Sequence, residues 1–283
     1  MREIRSHASS EISTSVPASY DIVGDIAIIR LSSASCKKVQ DVAKALIAIH
    51  KNVKTVLAQV SPIAGNLRLR GLMHVAGENR TTTVHRESGC SFSVDVKKCY
   101  FFPRLSNERL RLASLVKPRE TVVNMFAGVG CFSIIIAKYV STARVFSVDV
   151  NPAAIQFMKE NVRLNRVYGQ VIPLLGDSKT IVESQLRDAA DRVLMPLPEK
   201  ALDYLPTAVS ALKPTGGWIH YYDFKHTAKG EDPIEKTRLR VAPKLAELCI
   251  TYEVPFSRIV RTIGSNWHQV ILDIHVTRLR TKF

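Results

Sequence analysis

Two spacings of apolar residues divide this chain. Up to about residue 100 the apolar positions fall mostly at strand spacing: Ile22 to Leu31, broken by Gly24 and Asp25, then Val53 to Val60, Leu67 to Val75 and Thr81 to Arg86. Turn signals at Pro62, Gly65-Asn66 and Gly77-Glu78-Asn79 separate them. Lys38 to His50 departs from the pattern, carrying Val39, Val42, Ala43, Leu46 and Ile47 at helical spacing. A small α+β domain over residues 20–100 is the expected outcome, preceded by a Ser-rich polar segment, residues 1–19, expected to lie loosely on the surface.

Beyond it, in residues 101–283, the spacing alternates. A helix over Arg109 to Val116 ends at Pro118, and strands are then expected at Thr121 to Met125, Ala143 to Asp149, Val171 to Leu175, Arg192 to Met195, Trp218 to Tyr222, Thr251 to Arg258 and Gln269 to Arg278. Helices fit between them at Phe132 to Tyr139, Pro152 to Asn165, Thr180 to Asp188, Leu202 to Ala211 and Pro233 to Cys249. Strict alternation predicts an α/β domain with a mostly parallel sheet and helices on both faces. Only Thr262 to His268 joins the last two strands, too little for a crossover helix, so that pair is expected to be an antiparallel hairpin.

Composition narrows the partner. Of 283 residues, 46% are hydrophobic and 23% charged, which is globular, and no apolar run approaches the roughly 20 residues of a membrane span. Forty Lys and Arg against 25 Asp and Glu leave +15, so a polyanion, nucleic acid first, is the expected partner. The five cysteines are scattered without a C-x-x-C pair and the eight histidines lack ligand spacing, so reduced thiols in a cytoplasmic protein and no metal site are expected. His220 and His268, in apolar strands, read as hydrogen-bonded core residues.

The sharpest chemical signal is Val122-Val123-Asn124-Met125-Phe126-Ala127-Gly128-Val129-Gly130, a strand running into a small-residue turn and a helix. Gly128 and Gly130 allow a tight bend and close approach of a ligand, and the helix start offers free N–H groups. The turn lacks the third glycine of a dinucleotide site and the Lys-Ser/Thr of a P-loop, which disfavours a pyrophosphate; a turn needed only for packing is the competing reading. Asp149 closes the second strand, where a carboxylate accepts ribose hydroxyls, and Asp177 follows the third, where it faces an adenine amino group. A helix cap for Asp149 and a plain turn for Asp177 stay open. Adenine and ribose without phosphates, on a seven-stranded sheet of Rossmann-like methyltransferase layout, suggest S-adenosylmethionine.

Tyr100-Phe101-Phe102-Pro103-Arg104-Leu105-Ser106-Asn107-Glu108, Asn124 to Phe132, Asp149-Val150-Asn151-Pro152 and Lys159 to Asn165, with His50 to Val56 and Ala76 to Arg80 upstream, resemble the archaeal and eukaryotic tRNA (guanine-N1)-methyltransferases. The resemblance implies methyl transfer from S-adenosylmethionine to N1 of the guanosine 3′ of the anticodon, by a monomer whose two domains contact the tRNA anticodon stem-loop. It assigns Glu108 as general base, Arg104 and Arg68 to the guanine oxygen, and Tyr100, Phe126, Gly128, Gly130, Asp149, Val150, Asn151, Asp177 and Pro198 to the donor. The types suit the chemistry: N1 is protonated at neutral pH, so a base must remove its proton and a cation must meet the charge left on O6. From the residues alone, Glu108 equally pairs with Arg104 or Arg111 along one helix face, and Arg68 or Arg70 equally meets a phosphate.

Two departures stand out. Asn124 replaces the family's frequent Asp, and Pro196, in Asp191-Arg192-Val193-Leu194-Met195-Pro196-Leu197-Pro198, replaces the Asn of D-x-x-x-M-N-L-P. The family's additional N-terminal domain is also expected to be missing. Rival expectations are aminocarboxypropyl transfer to a wybutosine precursor, as in the sister family, and a tRNA-binding protein impaired in catalysis. Arg68, Arg70, Arg80, Lys97, Lys98, Arg104, Arg109 and the Lys225 to Arg240 segment are expected to form the phosphate-binding surface.

Overall fold

The computed structural model describes residues 20–30 and 36–279; the segment 1–19 and the side chains of residues 36–38, 278 and 279 lie outside what it describes. Contacts divide the chain into two compact units, with the boundary between Ser106 and Asn107.

In the first unit, β1 (Tyr20–Val23) and β2 (Ile26–Arg30) form an antiparallel hairpin, where the sequence suggested one interrupted strand. The interruption is the turn: Gly24 has φ +58, and a Cβ there would lie 2.2 Å from Thr83 Oγ1. Strand β2 pairs in parallel with β3 (Thr55–Gln59), and β3 pairs antiparallel with β4 (Leu72–Gly77). Helix α1 (Cys36–Ile49) supplies the parallel crossover and buries Val39, Val42, Ala43 and Leu46 with Ala27, Ile29, Val56 and Ala58. Strand β4 begins later than the pattern suggested, because 64–69 turn back on themselves through an Ala64–Leu69 bridge. A second hairpin joins β5 (Thr82–Glu87) to β6 (Cys90–Asp95). Strand β6 was not expected from its Ser-interrupted pattern; the signal for it was Ser88-Gly89, both at positive φ, the turn that suits a two-residue hairpin.

The second unit holds α2 (Ser106–Leu115), β7 (Thr121–Asn124), α3 (Cys131–Tyr139), β8 (Arg144–Asp149), α4 (Pro152–Leu164), β9 (Val171–Leu175), α5 (Ser178–Ile181), β10 (Arg192–Met195), α6 (Ala201–Ala211), β11 (Gly217–His226), α7 (Pro233–Glu247), β12 (Ile250–Gly264) and β13 (Trp267–Leu279). The expected helix over Thr180 to Asp188 is instead the short α5 followed by a wider π turn over Val182–Leu186, with Val182 and Leu186 buried. The seven strands form one sheet in the order β12-β13-β11-β10-β7-β8-β9. Strands β7 to β11 are parallel, and β13 runs antiparallel to both β11 and β12, as the short last loop required. Central strands read as continuous apolar runs because both faces are covered; every residue of β10 is buried. The order reverses at β7, so β7 and β10 are the strands between which a crevice opens at their C-terminal ends. Among the described residues no helix is long and apolar enough to cross a membrane.

Candidate active site

The turn after β7 is held open by side chains from four directions. Buried Asn124 donates through Nδ2 to Ser133 Oγ (3.1 Å), which also accepts from Ser147 Oγ (2.8 Å). Buried Asn161, on α4, donates to the Val129 carbonyl (3.0 Å), and Ser178 donates to the Met125 carbonyl. The fourth anchor is Asp149: Oδ2 accepts from the Gly128 N–H (2.7 Å) and Oδ1 from the Asn151 N–H (2.9 Å). Burial raises the Asp149 carboxyl above its ordinary value, against the pull of these backbone donors. The helix cap is Asn151, whose side chain accepts from the Ala153 N–H (3.0 Å), so Asp149 is not the cap.

Gly128 and Gly130 have φ +56 and +93. The need for glycine at Gly130 differs from the one the sequence suggested: a Cβ there would lie 2.8 Å from Met158 Cγ and 3.1 Å from Ile134 Cδ1, so it faces packed helices. Asp177 caps α5 through the Lys179 N–H (2.8 Å) and accepts from the Tyr204 hydroxyl (2.5 Å). Burial first, then Asp177, push the Tyr204 phenol up to about 12. Phe126 meets Tyr204 edge to face at 5.1 Å. Val150 is exposed after β8, while Pro196 and Leu197 are half-buried and Pro198 buried after β10.

These parts suit an adenosine: a carboxylate with lone pairs left for two hydroxyls, a flat apolar ring, and an acceptor for an amino group. Sequence reasoning missed the anchoring role of Asn161 and Ser178 and the part of Tyr204; Asn161 lay inside the quoted Lys159 to Asn165 segment, but nothing in a single sequence says that its amide faces a carbonyl of the turn.

Glu108, in the first turn of α2, is 1% exposed. Its Oε1 accepts from the Tyr222 hydroxyl (2.8 Å) and from Arg111 Nη2 (2.8 Å), Arg111 Nε lies 3.1 Å from both oxygens, and Oε2 also accepts from Arg258. Burial and the Glu108 charge push the Tyr222 phenol far up. Arg111 turns its other edge to Asp273, Nη1 donating to Oδ2 at 2.7 Å. Asp273 meets His220 Nδ1 at 2.5 Å, and His220 Nε2 meets Arg192 Nη1 at 2.7 Å.

Since a guanidinium only donates, Nε2 must be the acceptor and the proton sits on Nδ1, so His220 is neutral. Burial lowers its pKa in agreement. Asp273 is held down to about 2: burial opposes this but is outweighed by the hydrogen bonds from His220 and Arg111 and by the Arg111 charge, His220 being neutral. Arg192 closes the chain on Glu120 (3.0 Å). His220 is the core histidine the sequence suggested; His268 is not, being half-buried with Nδ1 3.2 Å from Thr262 Oγ1 near the hairpin end.

Arg68, Tyr100 and Arg104 lie in the first unit. The Arg68 guanidinium stands 4.0 Å over the half-buried Tyr100 ring, and Arg68 has φ +54. Arg104 donates through Nε to Asp21 (2.7 Å) and through Nη2 to the Tyr20 carbonyl (3.0 Å). Several expected phosphate contacts are committed internally instead. Arg70 is buried against Gln59, and Arg80 is paired with Asp25 and Glu78. Arg109 is buried near the Phe132 ring, and Lys225 and Arg240 share Asp223. Lys97 and Lys98 are exposed.

Residues 83–249 match the model of the TRM5/TYW2 methyltransferase domain, and 1–81 that of the TYW2 N-terminal domain. The chain belongs to the TRM5/TYW2 methyltransferase family. It is 38% identical over 267 residues to the tRNA (guanine(37)-N(1))-methyltransferase Trm5b of Pyrococcus abyssi, covering 94% of this chain and 77% of that protein. The crystal structure of that relative superposes with a TM-score of 0.84 over 96% of this chain and 78% of its own, at 38% identity. The tRNA 4-demethylwyosine(37)-methyltransferase Taw21 of Saccharolobus solfataricus is also 38% identical, over 256 residues, 90% of this chain and 92% of that one. Pyrococcus horikoshii TYW2 in complex with MeSAdo superposes with a TM-score of 0.77 at 28% identity, over 98% of both chains. Family membership makes the second unit a class I S-adenosylmethionine-dependent methyltransferase domain.

Proposed function

We propose that this enzyme methylates N1 of the guanosine 3′ of the anticodon in tRNA, working as a monomer in the cytoplasm. The observation that carries the reading is the β7 turn closed on the Asp149 carboxylate, in a chain 38% identical to Trm5b over 94% of its length. S-adenosylmethionine, when bound, supplies an electrophilic methyl carbon whose bond to sulfur breaks with both electrons going to sulfur. Asp149 would hold the ribose hydroxyls, Phe126 and Asp177 the adenine, and Gly128, Val150, Asn151 and Pro198 the walls of the site. Glu108 would take the N1 proton as the N1 electron pair turns to carbon, and Arg104 and Arg68 would meet the charge on O6. Tyr100, already under Arg68, would stand beside the donor.

A second reading has a specific observation behind it. Identity to the 4-demethylwyosine methyltransferase is the same 38%, and Pro196 replaces an asparagine of the guanine-N1 pattern, so a tricyclic base at the same position is the alternative acceptor. Aminocarboxypropyl transfer ranks below both, identity to the aminocarboxypropyltransferase of Methanocaldococcus jannaschii being 32% over 261 residues. One experiment decides: incubate the protein and labelled S-adenosylmethionine with a tRNA transcript bearing guanosine after the anticodon, and separately with tRNA carrying 4-demethylwyosine, then digest and identify the nucleoside by mass. N1-methylguanosine from the transcript is the expected product; label only on the tricyclic base overturns the first reading in favour of the second.

A further inference from the structure

A base needs a lone pair for the proton it takes, and the Glu108 oxygens already face three donor side chains. Tyr222 is fully buried on β11, and Arg111 is pinned from behind by Asp273 of β13, itself backed by His220 of β11 and Arg192 of β10. Arg109, the next residue of α2, turns to the Phe132 ring. Arg258 is differently placed. It comes from β12, the outermost strand, its side chain is 39% exposed, and its Nε has no hydrogen-bond partner among the described residues. Register shifts on both sides, between Glu253 and Phe256 and between Ile259 and Arg261, bracket the short paired segment Phe256 to Ile259 that carries it. Phe256, two residues away and on the same face, lies 4.7 Å from the Arg111 guanidinium.

We propose that Arg258 is a positioning residue for the reaction: it holds Glu108 Oε2 in the free enzyme and surrenders that oxygen to the N1–H of the arriving base. The proposal rests on Glu108 being the base. In the free enzyme Glu108 carries Arg258 as a neighbouring cation; in the complex Oε2 accepts from N1–H in the place of Arg258, beside Arg111 Nε, while Tyr222 and Arg111 Nη2 keep Oε1. The Arg258 cation then swings into the exposed side, toward RNA.

The test compares pH profiles of methylation of the guanosine-bearing transcript by wild type, Arg258→Ala and Arg258→Lys, with saturating S-adenosylmethionine. The kcat/KM profile reports groups of the free enzyme and the kcat profile those of the complex. In Arg258→Ala the acidic limb of kcat/KM should move up by about one pH unit, the effect of losing one adjacent cation, while the kcat limb stays; Lys should restore the kcat/KM limb. Movement of both limbs together, or of neither, overturns the proposal. Glu108→Gln separates the two claims: wild-type rate and profile there overturn the base assignment itself, whereas a large rate loss there with unmoved limbs in Arg258→Ala overturns only the role of Arg258. Should Arg258→Ala fail to fold, Arg258→Gln keeps the stem and carries the same readout.

Discussion

The turn Asn124–Gly130 and the centre around Glu108 lie in one unit and are held by opposite means. Three of the four side chains that grip the turn are uncharged, from Asn124, Asn161 and Ser178, and the fourth, Asp149, spends its oxygens on backbone N–H groups. Glu108 is held by ions, in a run of alternating charge that starts at the part-exposed Arg258 and passes through Arg111 and buried Asp273, across neutral His220, to buried Arg192 and on to Glu120. Neutral anchors fix a backbone shape cheaply and leave it little altered by pH or salt. A charged centre costs desolvation at every member and depends on all of them being present, but it fixes a carboxylate that can still exchange one partner.

The largest effect expected from breaking this contrast is on rate. Glu108→Gln keeps the size of the side chain but removes its ability to accept a proton, so single-turnover methylation should fall by roughly 10²–10⁴-fold, the usual contribution of a general base, with donor affinity unchanged. A wild-type single-turnover rate would leave Glu108 as an ion-pair residue only. The next effect is on stability. Asp273→Asn strips the charge that faces Arg111 and should cost about 3–5 kcal/mol in denaturant unfolding. Asn161→Ala, which orphans the Val129 carbonyl in the turn, should cost only about 1–3 kcal/mol. Equal costs would erase the distinction between ionic and neutral anchoring.

The same distinction explains what could be read in advance. The units after β7, β8 and β9 show local signals: a small-residue turn after β7, and after β8 and β9 an acidic residue at or just past the strand end with a helix capped by an Asn or Asp side chain. Gly128, Asp149 and Asp177 therefore declared themselves by position, and all seven strands of the large sheet followed from spacing. Of the partners of Glu108, Arg111 follows the i,i+3 spacing of one helix face and was legible in the sequence; the others obey no such rule. Tyr222 lies 114 residues away, Arg258 150, and Arg111 reaches Asp273 across 162. Only the antiparallel return of β13 beside β11 brings Asp273 opposite His220, and that register is not written in either strand alone. Gly130 was legible as a residue but not in its cause, because Met158 packs against it from the next helix. Strand β6 was hidden by serines on a strand of a two-stranded ribbon, where the apolar signal is weak.

At the turn, Asp149→Ala should weaken S-adenosylmethionine binding by roughly 1.5–3 kcal/mol, the worth of a charge-assisted acceptor, and leave the kcat pH profile where it was. Calorimetric titration measures the first and the methylation assay the second. Unchanged donor affinity would reduce Asp149 to an anchor of the Gly128 N–H.

The smallest expected effect is the response of the two regions to mild acid. His220 is the one buried histidine among the described residues, and burial depresses its folded pKa below the ordinary 6.5. A depressed group binds its proton more readily in the unfolded chain, so its contribution is fully present above pH 6.5 and is lost as pH falls below it, at no more than about 1.4 kcal/mol per pH unit. Asp273, lowered from 3.8 to about 2, adds its loss only below about pH 4. Asp149 has the opposite sign: its raised pKa makes protonation favour the folded state, so the turn loses nothing between pH 7 and 5. Thermal stability measured across that window should therefore fall with acid in the wild type. In His220→Asn, whose amide can still donate to Asp273 and accept from Arg192 without titrating, the curve should flatten. A wild-type curve that is already flat, or an Asn variant with an unchanged slope, would show that His220 does not carry the acid sensitivity of the charged centre.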